Sequence, residues 1–205
     1  MWTLFHSPGS CAMASFIALE EAGAPYRVQR VNFAASEQHA PAYRAINPKG
    51  RVPTLATERG ILTETPAILG FIAESCPAAG LLPVGDPWAV AQAQSFNAYL
   101  CATVHVNHAH GRRAARWTDD TAAQAALAAY VPTTMAAAFA LIEAGMLQGP
   151  WVLGERFSVC DPYLFTIASW LEGDGVPLAS LPRVAAHFAR MQERPSVQKA
   201  LAFTG

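Results

Sequence analysis

Apolar and polar residues change their spacing several times within the first eighty residues of the chain. Trp2 to Phe5 is a short run typical of a β-strand, and turn residues follow it. From Cys11 to Ala22 the apolar residues lie three and four apart, which predicts a helix. Gly23 ends this helix as its C′ residue, and Pro25 keeps it from continuing. The chain therefore opens with a strand and a helix.

The alternation of extended and helical segments continues to residue 76. The further predicted elements are a strand at Tyr26–Val31, a helical stretch near Glu37–Ala45, an extended run at Val52–Leu55, a hairpin-like turn at Arg59-Gly60 into a run at Ile61–Thr63, and a helix with Thr65 as N-cap and Pro66 as its first residue. The order β-α-β-α-β-β-α is typical of an α/β domain with helices packed on a sheet. We assign this domain to residues 1–76.

The second half of the chain has helical spacing almost throughout. Residues 77–87 are rich in proline and are predicted to be a linker, and residues 88–205 an all-α domain. Ser158 and Asp161 have the spacing of a capping box ahead of an apolar run. The other predicted helical segments are Trp88–Trp117, Thr121–Leu147 with a break or kink at Pro132, and two short helices that begin near Pro182 and Pro195.

Composition excludes several classes of protein. The 205 residues are 52% hydrophobic and only 14% charged, which excludes intrinsic disorder. A formal net charge of −1 argues against nucleic acid as the main partner, since phosphate binding needs a basic surface. No apolar run approaches the roughly 18 residues of a membrane span, and the N-terminus does not resemble a signal peptide. We therefore expect no membrane association and a cytoplasmic location, with free thiols.

The strongest candidate for chemistry is Cys11, which follows the turn Ser7–Ser10 and lies at a predicted helix N-terminus. Unpaired amides and the positive end of the helix dipole favour an anion there, so a thiolate would have a lowered pKa and would be reactive. No second cysteine follows three residues later, so an external thiol would have to resolve an oxidised Cys11. The structural alternative is a small buried cysteine that only fills space.

Two further segments carry features that suggest ligand binding. The proline of Val52-Pro53 enters an extended run although it cannot donate a hydrogen bond there, which fits either a cis bond that exposes backbone to a ligand or an ordinary edge strand. Glu64 suits an ammonium group, and the hydroxyl of Thr65 suits a carboxylate, so together they could hold an α-amino acid group. The alternative is plain capping by Thr65 with Glu64 solvated.

Histidines cluster on the long helix after residue 100. Cys101, His105 and His108 fall on one stripe of the helix, but its ends are about 10 Å apart, too far for one zinc ion. We therefore expect no metal, and interpret His105 as lining a substrate cleft, with an incidental role still open for His108 and His110. The arginines at 112, 113 and 116 are interpreted as the solvated end of the helix.

Taken together, these residues resemble the cytosolic glutathione transferases, most closely the bacterial beta class. The resemblance spans essentially the whole chain and is carried by Ser7–Cys11, Ala45–Pro53, Leu62–Ile68 and Phe157–Phe165. It implies a thioredoxin-like N-terminal domain, an all-α C-terminal domain, a homodimer, and glutathione as co-substrate. One departure concerns the loop after the second strand, Phe33–Ser36, which lacks the basic residue that this class often carries.

The resemblance also implies roles for individual residues. Val52, before a cis Pro53, would pair its backbone with the cysteine of glutathione, and Glu64 and Thr65 would hold the γ-glutamyl end. Cys11 corresponds to the cysteine of the beta class, which can form a mixed disulfide with glutathione. The other expected site residues are Ser10 beside the sulfur, His105 as a helper in catalysis, and His6, Pro8 and His108 in a hydrophobic second-substrate pocket between the domains.

Three functions are compatible with these residues. The first is transfer of the glutathione thiolate to a small hydrophobic electrophile. The second is glutathione-dependent thiol–disulfide exchange with Cys11 as nucleophile. The third is a non-catalytic binding or regulatory protein on the same fold, because fold does not fix function.

Overall fold

The computed structural model describes residues 1–204, and its N-terminal part is built on a four-stranded sheet with the order β2-β1-β3-β4. Strand β1 (Trp2–His6) pairs in parallel with β2 (Tyr26–Arg30) and antiparallel with β3 (Thr54–Thr57). β3 in turn pairs antiparallel with β4 (Gly60–Thr63). The predicted order of strands and helices, and hence the α/β class of this part, is confirmed.

Residues of β1 alternate between two apolar clusters, as the pleat of a strand requires. Leu4 is fully buried in the main core, where α1 (Ala12–Ala22) and α3 (Thr65–Ser75) pack together. Phe5 points the other way, into a smaller cluster with Tyr43 from α2 (Pro41–Arg44). The sheet thus carries helices on both faces.

The rest of the chain is helical, and its first long helix differs from the prediction. It includes a π-helical segment, Leu100–Val104, and ends at Arg112 instead of Trp117. The short 3-10 turn Ala114–Arg116 follows it. The helices are α4 (Pro87–Tyr99), α5 (His105–Arg112), α6 (Thr121–Leu141), α7 (Cys160–Ala168), α8 (Pro182–Gln192) and α9 (Pro195–Ala202). The division at residues 76 and 88 stays a prediction, and Gly205 lies outside the described residues.

Helix α6 and the π-helical segment after it run without interruption through Pro132, so no break is present there, and a kink at Pro132 stays a prediction. Thr121–Met146 is also long and apolar enough to cross a membrane by length and composition, with a mean hydropathy of 1.7 over its best window. This corrects the prediction that no such run exists. Only 28% of that window is buried, although the side chains of Met135, Phe139 and Ile142 are fully buried in the main core.

The start of α7 is held by one buried carboxylate. Asp161 is fully buried and accepts hydrogen bonds from the amide of Ser158 at 2.7 Å and from its hydroxyl at 3.1 Å. It also accepts from the amide of Val152 at 2.8 Å and lies 3.0 Å from Nε2 of His187 on α8. The hydroxyl of Ser158 accepts from the amide of Cys160 at 3.2 Å, so the predicted capping box is present in reciprocal form.

Several polar contacts join the two halves of the chain. Arg194, at the start of α9, binds Glu21 of α1 through two hydrogen bonds of 2.7 and 2.6 Å. The indole of Trp170, just after α7, donates to the carbonyl of Gly9 at 3.1 Å. The first contact holds the end of α1 against α9, and the second holds the turn before α1 against the helical part of the chain, where a cavity opens beside it.

Candidate active site

A cavity of about 320 Å³ lies between the sheet domain and the helices, with walls from both. Residues from the turn before α1, the segment before β3 and the start of α3 form one side. Residues from the π-helical segment and α5 form the other side, together with Tyr163 and Trp170. Eight of the ten predicted site residues line it: Ser10, Cys11, Val52, Pro53, Glu64, Thr65, His105 and His108.

The two remaining residues, His6 and Pro8, do not line the cavity, so their assignment to the second-substrate pocket is wrong. His6 lies two residues after Leu4 on β1 and therefore faces the same core. Its ring packs edge-on against Phe16 at 5.6 Å and Phe203 at 5.5 Å, and burial lowers its pKa to about 4. Pro8 is exposed on the surface.

Cys11 immediately precedes α1, as predicted, but its chemistry differs from the expectation. Its thiol donates to the carbonyl of Val52, with 3.4 Å between Sγ and the oxygen. Burial raises the pKa of the thiol to about 11, although the Thr65 hydroxyl and the Arg113 charge act in the opposite direction. The predicted lowering of its pKa by the helix N-terminus is therefore wrong, and Cys11 is a neutral thiol at pH 7.

Hydrogen bonds within the first turn explain why the helix N-terminus does not lower the pKa of Cys11. The amide of Ala12 donates to the hydroxyl of Ser10 at 3.3 Å, and the amide of Met13 donates to the carbonyl of Ser10 at 3.1 Å. The hydroxyl of Ser10 itself donates to the carbonyl of Ser7 at 2.6 Å. Because its one proton is used in this way, Ser10 stabilises the turn and is not placed to donate to a sulfur.

The peptide bond between Val52 and Pro53 is cis, as the resemblance implies. The side chains of Asn47 and Tyr43 both donate to the carbonyl of Arg51, at 2.8 and 2.7 Å, and so fix the backbone on one side of the bond. Val52 is 7% exposed and lines the cavity. The segment is therefore a rigid part of the wall beside Cys11.

The start of α3 differs by one residue from the prediction. The helix begins at Thr65, and Glu64 occupies the N-cap position with φ of 74°. Glu64 forms an ion pair with Lys49, which also donates to the Thr63 hydroxyl at 2.6 Å. Thr65 is buried at the cavity wall, and its amide comes before the first helical hydrogen bond, from Ile68 to Glu64. The first turn thus presents an amide and a hydroxyl beside a carboxylate.

On the opposite wall, two histidines pack against Trp170. The ring of His108 lies parallel to the indole at 4.3 Å, and the ring of His105 lies 5.1 Å from it. Nδ1 of His108 is 2.7 Å from Asp174. Burial, followed by the charges of His108 and nearby arginines, lowers the pKa of His105 to about 4, so its imidazole is neutral at pH 7. Asp174 is more than 60 residues away in sequence, and no local signal points to it.

Three cavity residues, Arg51, Arg113 and Arg116, were not predicted as site residues. The sequence places the latter two at the end of a helix, where cations usually complement the dipole in solvent. In the structure the chain turns after Arg112, and this turn brings both guanidinium groups over the cleft. Arg112 does not line the cavity. Within residues 1–204 no group of three metal-ligating side chains is present.

Comparison with known proteins identifies the family. The family model described as the N-terminal domain of glutathione S-transferases matches residues 1–74. The family model of the C-terminal domain matches residues 108–202. The chain belongs to the glutathione S-transferase family. Its predicted family, fold and enzyme class are confirmed.

Three similar proteins cover almost the whole of this glutathione S-transferase chain. Glutathione S-transferase GstA of Escherichia coli O157:H7 is 33% identical over 98% of both chains. A glutathione transferase homologue from Sulfitobacter, solved with bound glutathione, is 48% identical with a TM-score of 0.94 over 97% of this chain and 96% of that one. The bacterial beta-class enzyme of Sphingomonas chungbukensis is 31% identical with a TM-score of 0.82 over 97% and 96%.

Proposed function

We propose that this chain binds glutathione in the described cavity and transfers its thiolate to a small electrophile, as a beta-class enzyme in the cytoplasm with a role in detoxification. The observation that carries the proposal is the pairing of the Cys11 thiol with the Val52 carbonyl at 3.4 Å, beside the N-terminus of α3. The Cys11 thiol, the Val52 backbone and the Glu64 carboxylate beside the Thr65 amide thus share one wall of the cavity.

The γ-glutamyl end and the central cysteine of the tripeptide each have a suitable partner on this wall. Glu64 and the first turn of α3 can hold the ammonium and carboxylate of the γ-glutamyl group, by charge pairing and by the hydroxyl and amide of Thr65. The backbone of Val52 can pair with the central cysteine, as the family resemblance implies. These contacts leave the glutathione sulfur near Cys11.

A neutral Cys11 favours conjugation over exchange by its own sulfur. A protonated thiol is a weak nucleophile. When the backbone of Val52 pairs with glutathione instead, the Cys11 proton is released from the Val52 carbonyl and can be donated to the glutathione thiolate. His105 is likewise neutral and can donate or accept a proton as the electrophile reacts. In this mechanism the protein contributes positioning and preorganised donors, and the attacking sulfur comes from glutathione.

Thr65→Ala should weaken glutathione binding about tenfold, because one hydrogen bond to a charged group contributes about 1.5 kcal/mol or more. Isothermal titration calorimetry with reduced glutathione measures the dissociation constant. Thr133→Ala on the exposed side of α6 is the matched control and should leave it unchanged. Equal affinities for the two variants would contradict the placement of the γ-glutamyl end at α3. If the wild type shows no heat of binding with glutathione, the result would favour a regulatory protein that does not use glutathione.

The homodimer implied by the resemblance remains part of the proposal. A second groove, of about 350 Å³, lies between α3 and α4 and is lined by Pro66, Ala67, Gly70 and Phe71 among others. Its apolar residues, which lie beside the polar Glu74, Gln94 and Asn97, suit burial against a second copy. Light scattering should give twice the chain mass of 21.9 kDa, and Ala67→Glu should yield the monomer by placing a charge in the groove. A monomeric wild type would contradict it.

A further inference from the structure

The mouth of the cavity is lined by three arginines from both sides of the cleft. Arg51 precedes Val52 on the sheet side, and Arg113 and Arg116 come from the turn after α5. Arg113 and Arg116 are three residues apart within one short turn. The cleft therefore concentrates positive charge in a chain whose overall net charge is −1.

None of these three guanidinium groups has an anionic partner within residues 1–204. No carboxylate oxygen of the described chain lies within salt-bridge distance of them. Several other arginines of the described residues also lack a carboxylate partner, so the feature that sets these three apart is that they line one cavity. Unpaired cations that face a cavity differ in this respect from ordinary structural ion pairs, and they point to an anionic ligand.

The charges of the three arginines also act on each other and on His105. Burial lowers the pKa of Arg116, and the charges of Arg113 and Arg51 lower it further. The same three arginines contribute to the lowered pKa of His105. Like charges held near one another in a cleft are unfavourable, and a bound anion would relieve this repulsion.

Aromatic side chains flank the arginines and define the remaining shape of the ligand. The guanidinium of Arg113 lies over the ring of Phe33, 5.7 Å from its centroid, and this contact orients it. Trp117 and Trp170 line the same cavity. The pocket therefore combines flat apolar walls with cationic donors, whereas we expected from the sequence a hydrophobic pocket without the arginines.

The number of arginines helps to decide whether they bind the glycine carboxylate of glutathione or a carboxylate of the second substrate. Glutathione presents a single carboxylate at its glycine end once its γ-glutamyl end lies at α3, and one bidentate guanidinium can satisfy it. Three arginines exceed this need. We propose that Arg51, Arg113 and Arg116 bind a carboxylate of the second substrate, so that the preferred electrophile is a planar anion. This inference rests on the proposed function.

Two aryl chlorides of similar shape test it: neutral 1-chloro-2,4-dinitrobenzene and anionic 4-chloro-3,5-dinitrobenzoate. In both reactions the glutathione sulfur forms a bond to the ring carbon, the carbon–chlorine bond breaks, chloride leaves with its electron pair, and the thiol proton goes to solvent. Each variant is compared with the wild type on both probes, so their different intrinsic reactivities cancel. Arg112→Ala is the matched control, because it removes the same charge from the same helix end outside the cavity.

We expect Arg113→Ala and Arg116→Ala each to raise KM for the anionic probe about tenfold more than KM for the neutral probe, because a charge-assisted hydrogen bond contributes about 1.5 kcal/mol or more. Arg113→Lys should recover part of this loss, and Arg112→Ala should show no preference between the probes. Higher ionic strength should also raise KM for the anionic probe selectively.

The arginines could instead bind the glycine carboxylate of glutathione. A comparison of glutathione with its glycine monoethyl ester, in which that carboxylate is blocked, tests this alternative. If the arginine variants raise KM for glutathione but not for the ester, and treat both aryl chlorides alike, the cluster binds the glycine end and the inference is wrong. Equal effects of Arg112→Ala and Arg113→Ala on every probe would also overturn it. Normal turnover of the neutral probe in those cases leaves the proposed function intact, whereas no turnover of either probe and no glutathione binding would overturn both.

Discussion

Asp161→Ala should lower the free energy of unfolding by at least about 3 kcal/mol, a large loss for a single substitution. The carboxylate is fully buried and accepts from two backbone amides and a hydroxyl, and it also contacts His187. Its removal leaves these buried polar groups without a partner, and breaking a buried pair in this way typically costs about 3–5 kcal/mol. Chemical denaturation followed by circular dichroism measures the change.

Asp119→Ala is the matched control for this experiment. Asp119 is exposed before α6, so its loss should change the unfolding free energy by about 0.5 kcal/mol or less. Asp161→Asn tests the role of charge, because the amide keeps the shape but replaces one acceptor oxygen with a donor. Similar stability of Asp161→Ala and Asp119→Ala would show that the start of α7 is held by apolar packing alone.

Cys11 should react with iodoacetamide at neutral pH about a hundredfold more slowly than a free cysteine. Only the thiolate reacts, and a pKa of about 11 instead of 9.0 lowers the thiolate fraction by about that factor. The rate should rise as the pH is raised toward 11, because the deprotonated fraction then increases. Mass spectrometry of the Cys11 peptide separates its labelling from that of the other three cysteines.

The variant Cys11→Ala then separates conjugation from disulfide exchange. If the cysteine acts only as a neutral donor, its loss should reduce kcat for an aryl chloride by about tenfold or less, the effect of one hydrogen bond. Cys11→Ser, which keeps a donor, should recover part of this rate. Rapid labelling of Cys11 together with complete loss of glutathione-dependent disulfide reduction in Cys11→Ala would instead establish exchange as the main chemistry.

Local sequence signals predicted the scaffold of the site well. Gly23 does end α1 in a left-handed conformation, and Val52-Pro53 is the cis bond that the resemblance implied. The end of α1 depends on residues adjacent in the chain and could be predicted from them, whereas for Val52-Pro53 the local sequence left a cis bond and an edge strand open, and only the resemblance implied the cis bond. The N-cap of α3 was displaced by one residue, since Glu64 takes a positive φ that a glutamate rarely adopts.

Properties that depend on distant residues could not be predicted from local sequence. The pKa of Cys11 depends on how much protein surrounds it, and that is set by the packing of the second domain against the first. His6 appeared available in a turn, but the side-chain alternation of β1 and the packing of Phe203 bury it. The arginine cluster likewise depends on the fold, because Arg51 joins Arg113 and Arg116 only across the cleft.

The π-helical segment Leu100–Val104 ends directly before His105. A π turn holds about one residue more than an α turn, and an α-helix rotates about 100° per residue. Every side chain after the segment is therefore rotated by about that angle relative to an uninterrupted helix. This extra residue turns His105 and His108 towards the cleft. Insertion or deletion of one residue at this point would therefore change which side chains line this wall, without altering the sheet domain.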